Sequence, residues 1–127
     1  ARGGSRRDRL RANFAALLAR GEALVTRLWE GLANLEPVTL YGPPPGAPRT
    51  PTVAFTVRGR PPESVARDLA ARGVFVSHGD FYARTAIERL GLGGRGLVRA
   101  GCACYTTPEE IDRLIAAVHA AAVDPHD

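Results

Sequence analysis

Apolar residues recur at helical spacing through the first part of the chain and at two-residue spacing beyond it, and this change of period marks where helix gives way to sheet. Over residues 8–33, Leu10, Phe14, Leu17, Leu18, Leu24, Val25, Leu28 and Leu32 follow a 3.6-residue period, which predicts a long amphipathic helix. Gly31 and Asn34 sit near its end, and either could terminate it. Residues 38–41 read as a short strand. Residues 42–51 hold five of the ten prolines and read as a stiff loop. Residues 52–57 then alternate, with Val53, Phe55 and Val57 on one face of a second strand.

The second half is punctuated by proline and glycine. Pro61 and Pro62 open a helix that runs to Arg72 and is closed by Gly73. Residues 74–77 are predicted as a third strand, 82–90 as a helix, 91–96 as a glycine-rich turn and 97–102 as a fourth strand. Thr107 and Glu110 frame Pro108 as a capping box, followed by Ile111, Leu114, Ile115 and Val118 on one helical face. The expected fold is α+β: a small, mainly antiparallel sheet of three or four strands with helices packed on one face, preceded by the long helix. All 127 residues fit a single domain with a modest core.

Composition narrows the function classes. Every one of the 17 Lys+Arg residues is arginine, and the formal net charge is +4. That surplus could suggest nucleic acid. The strands lack aromatic stacking platforms, however, and the arginines alternate with acids along the helices, which predicts a solvated, salt-bridged surface and no nucleic-acid partner. There is no leader-like segment and no apolar run of membrane length, so no membrane partner is expected and the cytoplasm is the default compartment. Cys102 and Cys104 are too few for a disulfide scaffold. They could form half of a metal site, but only His78, His119 and His126 could add nitrogen ligands, so two small buried apolar residues and no metal are expected.

The segment worth most is Leu97-Val98-Arg99-Ala100-Gly101-Cys102. An arginine inside a buried strand is costly unless an anion meets it. The commoner fate of a strand arginine is to point into solvent and pair with a neighbouring glutamate.

Arg99-Ala100-Gly101, Tyr105-Thr106-Thr107 and residues 109–114 together resemble the C-terminal end of the class V aminotransferase family of pyridoxal phosphate enzymes, which includes the cysteine desulfurases. The likeness continues upstream through residues 49–57, 62–66 and 72–76, and is nearest to the subgroup called cysteine desulfurase-like. It implies that residues 10–120 are the small C-terminal domain of a larger enzyme, homodimeric and acting on an amino acid. Pyridoxal 5'-phosphate would be held in a large domain absent from this chain, and Arg99 would grip the substrate carboxylate.

Residues 77–83, Ser77-His78-Gly79-Asp80-Phe81-Tyr82-Ala83, resemble the mobile loop whose cysteine carries a persulfide in desulfurases. Tyr82 falls at that cysteine, and a phenol cannot carry sulfur. The parent reaction is thereby tilted toward carbon-sulfur lysis, β-elimination or another pyridoxal-dependent conversion. His78, Asp80 and Tyr82 are candidate substrate-binding residues, with His78 and Tyr82 also candidates for moving protons. The alternative is a surface turn with a packed aromatic pair.

Lacking lysine, the chain cannot form the Schiff base that holds this cofactor, so no cofactor and no stand-alone activity are expected. A start at Ala1 without methionine suggests a piece of a longer polypeptide or one half of a split protein. Phe14, Leu28 and Trp29 are then expected to expose a patch shaped against the missing domain. The competing function is a self-contained, non-catalytic α+β binding or interaction module.

Overall fold

The computed structural model of the protein describes residues 4–123. Its elements are α1 (Arg6–Ala33), β1 (Val38–Tyr41), β2 (Thr52–Val57), α2 (Pro62–Ala71), β3 (Ser77–Gly79), α3 (Arg84–Arg89), β4 (Leu97–Gly101) and α4 (Pro108–Val123). The strands form one antiparallel sheet in the order β1-β2-β4-β3. The expected α+β architecture is observed. His126 lies outside the described residues.

Strand register fixes what each face carries. Leu40 opposes Phe55 and Phe55 opposes Val98, so these residues share a face with Val53, Val57 and Ala100. That face is buried under α1, α2 and α4, with Phe55, Leu28, Leu32, Leu69 and Val118 at its centre. The other face presents the row Tyr41, Ala54, Arg99 and Ser77, one residue from each strand.

Only the second half of α1 packs on the sheet. Ser5 caps the helix by accepting from the Asp8 amide, and the Asp8 carboxylate accepts from the Ser5 amide in return. Leu24, Val25, Leu28 and Leu32 are buried, whereas Leu10, Leu17, Leu18 and Phe14, the last 69% exposed, project into solvent. Leu28 therefore belongs to the core and not to an exposed patch. Trp29 is half-buried, with the Arg49 guanidinium 5.3 Å from its ring centre. Gly31 lies inside the helix, and Asn34 is its C-cap. A Cβ at Gly31 would stand 2.2 Å from Cδ1 of Ile115, so glycine is what lets α4 approach α1 there.

Arginines tie the loops to this frame. Arg20 donates to the carbonyls of Cys104 and Thr106 at 2.9 and 2.8 Å, holding the turn after β4 against α1. Arg60 is largely buried; it donates to the Ala121 carbonyl at 2.6 Å and bonds Ser64 and Asp68, which links the start of α2 to the end of α4.

Several boundaries differ from the sequence reading. The third strand is Ser77–Gly79 rather than 74–77, because the ladder with β4 begins at Ser77 opposite Arg99. Upstream, the Val74 amide turns back to the Leu69 carbonyl, and a cavity of about 400 Å³ opens between Val74 and Phe75 on one side and Gly101 and Cys102 on the other. The helix expected at 82–90 spans only Arg84–Arg89, since Phe81 and Tyr82 take positive φ angles of 53° and 62° that no right-handed helix accepts. β4 ends at Gly101, one residue early, although the Cys102 amide still bonds the Pro51 carbonyl at 2.8 Å.

At the start of α4, the Glu110 amide donates to Thr107 Oγ1 at 3.2 Å and the Thr107 amide donates to Glu110 Oε2 at 2.9 Å. Thr107→Ala should cost about 1 kcal/mol in chemical denaturation; no change would mean that the box is not formed in solution. Arg27 donates twice to Asp112, at 2.8 and 2.7 Å, and these bonds hold the carboxyl below its ordinary 3.8. A lowered folded-state value gives stability that is present above the unfolded value and lost as pH falls through the folded one. The small stability difference between the protein and Asp112→Asn should thus exist at neutral pH and fade below 3.8. A difference independent of pH across that range would contradict the pair.

Candidate functional site

Arg99 stands at the middle of β4 on the face that α1, α2 and α4 leave uncovered. Val98 and Ala100, its neighbours in the chain, point into the core and are buried. Leu97, on the same side as Arg99, is also buried, but at its own position Arg99 is exposed rather than desolvated. Its guanidinium does not find a glutamate either: among the described residues no carboxylate pairs with it. Its partner is aromatic, with Cζ over the Phe81 ring at 4.0 Å from the centroid. Across the strands it is flanked by the small Ala54 and by Ser77, whose hydroxyl donates to the Arg99 carbonyl at 3.3 Å.

The loop that delivers Phe81 is built by constraint. The Asp80 carboxylate accepts from the Tyr82 amide at 3.1 Å and the Asp80 carbonyl accepts from the Ala83 amide at 2.9 Å. Two successive non-glycine residues, Phe81 and Tyr82, are thereby held in the left-handed region, which is rare and strained. The loop's base is fixed by the next turn. A Cβ at Gly96 would lie 2.4 Å from the Gly79 carbonyl oxygen, so only glycine allows these two backbones to meet.

This geometry separates the candidates named from sequence. Arg99 comes together with Phe81 and Ser77, neither of which the sequence singled out as a site residue. His78 opposes Val98 and so lies on the other face of the edge strand from Arg99. Asp80 is exposed, and one of its carboxylate oxygens is engaged in the turn. Tyr82 is fully exposed, at 105%, and forms no packed pair with Phe81. The proximity of Phe81 to Arg99 depends on the β3–β4 register, which composition and periodicity do not supply.

Other features are quieter. The amides of Gly91, Leu92, Arg95 and Gly96 donate to carbonyls of Glu88, Ile87 and Leu92, so four donors of this turn are engaged internally. A hollow of about 360 Å³ beside it is lined by Arg84 and Arg95 but also by Asp80 and Glu88, charges that offset one another. Among the described residues no group of three or more His, Cys, Asp or Glu could hold a metal ion. No helix among them is long and apolar enough to cross a membrane. Cys102 is buried as expected, but Cys104 is exposed, because the chain has left β4 and turned by that point.

Comparison with known proteins gives the wider setting. Residues 10–114 match the family model described as aminotransferase class-V. An aminotransferase-like protein of Gibberella zeae is 36% identical over 111 residues, covering 81% of this chain and 27% of that protein. A probable cysteine desulfurase of Halobacterium salinarum is 33% identical over 103 residues, covering 81% of this chain and 24% of its own length. Among solved structures, the apo cysteine desulfurase of Thermococcus onnurineus superposes with a TM-score of 0.74 at 32% identity, over 80% of this chain and 24% of that one. The chain thus spans about a quarter of the length of the relatives it matches.

Burial pushes the Cys102 thiol above its ordinary value, which withholds the reactive thiolate. A thiol-reactive dye at neutral pH should therefore consume Cys104 first and Cys102 only on unfolding. Loss of the fast phase in Cys102→Ser, with its retention in Cys104→Ser, would overturn this assignment.

Proposed function

The chain belongs to the class V aminotransferase family, and on that premise we propose that it is the substrate-side small domain of a pyridoxal phosphate enzyme in which Arg99 grips the carboxylate of an amino acid. The observation that carries this reading is an exposed strand arginine, on the sheet face that α1, α2 and α4 leave uncovered, with no carboxylate of the described residues holding it. A guanidinium offers two parallel N–H donors that match the two oxygens of a carboxylate. Fixing that end of the substrate sets the direction of its Cα bonds, which is the positioning this reaction class requires.

The family's cofactor belongs elsewhere. Pyridoxal phosphate is held on a lysine amine, and this chain has no lysine, so its own residues do not fit that role. We assign the cofactor to a large domain facing the open side of the sheet, and we take the chain alone as catalytically incompetent. The exposed Leu10, Phe14, Leu17 and Leu18 on α1 support an interface with another domain or a second copy.

The reaction itself is narrowed by Tyr82. It occupies the position of the persulfide-carrying cysteine in the desulfurase loop and cannot carry sulfur, which favours carbon-sulfur cleavage without persulfide transfer, or another elimination. Asp80 remains a candidate for shaping the pocket from this loop, whereas His78 lies in β3 on the face away from Arg99.

In the assembled enzyme, Arg99→Lys keeps the charge and loses the two-pronged geometry. It should lower kcat/KM by roughly 10- to 100-fold, the order for a positioning contact of ~1.4 to 3 kcal/mol. The cofactor absorbance should stay unchanged. Turnover equal to the parent at subsaturating amino acid would refute the carboxylate assignment.

A further inference from the structure

We propose that Phe81 is a positioning residue for carboxylate recognition: its ring holds the Arg99 guanidinium in place while leaving the guanidinium's edge free for an anion. The inference rests on the proposed role of Arg99 and extends it to the loop.

The choice of partner is the first argument. A long strand arginine on an open sheet face samples many rotamers, and something must select one if it is to receive a carboxylate without delay. A glutamate beside it would select a rotamer, but it would also occupy the N–H donors that a substrate needs. An aromatic face attracts the cation through its quadrupole and takes no hydrogen bond from the guanidinium edge. With Cζ 4.0 Å from the ring centroid, Phe81 sits well inside the range of that attraction.

The backbone supplies the second argument. Phe81 and Tyr82 are both left-handed, an arrangement that costs energy in two adjacent residues, neither of them glycine. Asp80 enforces it through its bond to the Tyr82 amide, and Gly96 packs against Gly79 at the loop's base. What this strained turn achieves is to bring the Phe81 ring to Arg99 while Tyr82 is left in solvent. A loop that only covered apolar surface would have no need to present its ring to a charge.

The test uses the intact chain with labelled arginine side chains, followed by NMR and titrated with acetate as the carboxylate probe. In the unaltered chain the Arg99 δ and ε protons should be displaced by the ring current of Phe81. Phe81→Leu should abolish that displacement and weaken acetate binding about two- to fivefold, the effect of one exposed cation–π contact. Phe81→Trp should restore both, and backbone amide dispersion should report that each variant is folded. Unchanged Arg99 signals or unchanged acetate affinity in Phe81→Leu would overturn the role of Phe81 while leaving Arg99's intact. If acetate failed to move Arg99 at all, or bound Arg99→Ala as well as the parent, the carboxylate reading itself would fall.

Discussion

Burial of one face of the sheet under three helices is the constraint from which the rest of the structure proceeds. Val53, Phe55, Val57, Val98 and Ala100 turn one way and are sealed by α1, α2 and α4. The two-residue period of a strand then sends Ala54 and Arg99 the other way. Arg99 needs no buried counter-ion because its strand is half wet. The same alternation that builds the core thus places a free cation at the centre of a face on which another surface can act.

Around that face, rigidity is supplied unevenly. The core side is pinned by close approach and by arginine clamps: Gly31 against Ile115, Arg60 across α2 and α4, and Arg20 on the turn after β4. The open side depends on a loop whose shape is a compromise, with a strained Phe81-Tyr82 pair held by Asp80. Local strain of this kind is characteristic of sites where geometry matters more than stability. The exposed first half of α1 is a second departure from self-sufficiency, since four large apolar side chains there remain about half exposed or more within the described chain.

Much of the fold was legible because its signals are local. β1 and β2 were bounded to the residue by proline and by alternation, and α4 by its capping box. The family was legible in the order of Arg99, Tyr105 and the run from Glu109 to Leu114. Failures came where tertiary pairing decides. Val74 to Val76 has strand composition, but the β3–β4 ladder starts beyond it. Cys104 was expected to be buried, because nothing local shows that the chain has turned to solvent beyond Gly101. His78 and Arg99 were both candidates for the substrate site, yet the pleat puts them on opposite faces, and Phe81 reaches Arg99 only through a turn with two positive φ angles.

The central claim is that the sheet face left uncovered by α1, α2 and α4 receives an amino acid through Arg99. The most direct measurement is a crystal structure of this chain assembled with its cofactor-binding domain and a bound amino acid or unreactive analogue. The account predicts both carboxylate oxygens within hydrogen-bond distance of the Arg99 guanidinium, on the face that carries Ala54 and Ser77. A carboxylate held by other residues, with Arg99 turned to solvent or paired with an acidic side chain, would contradict it.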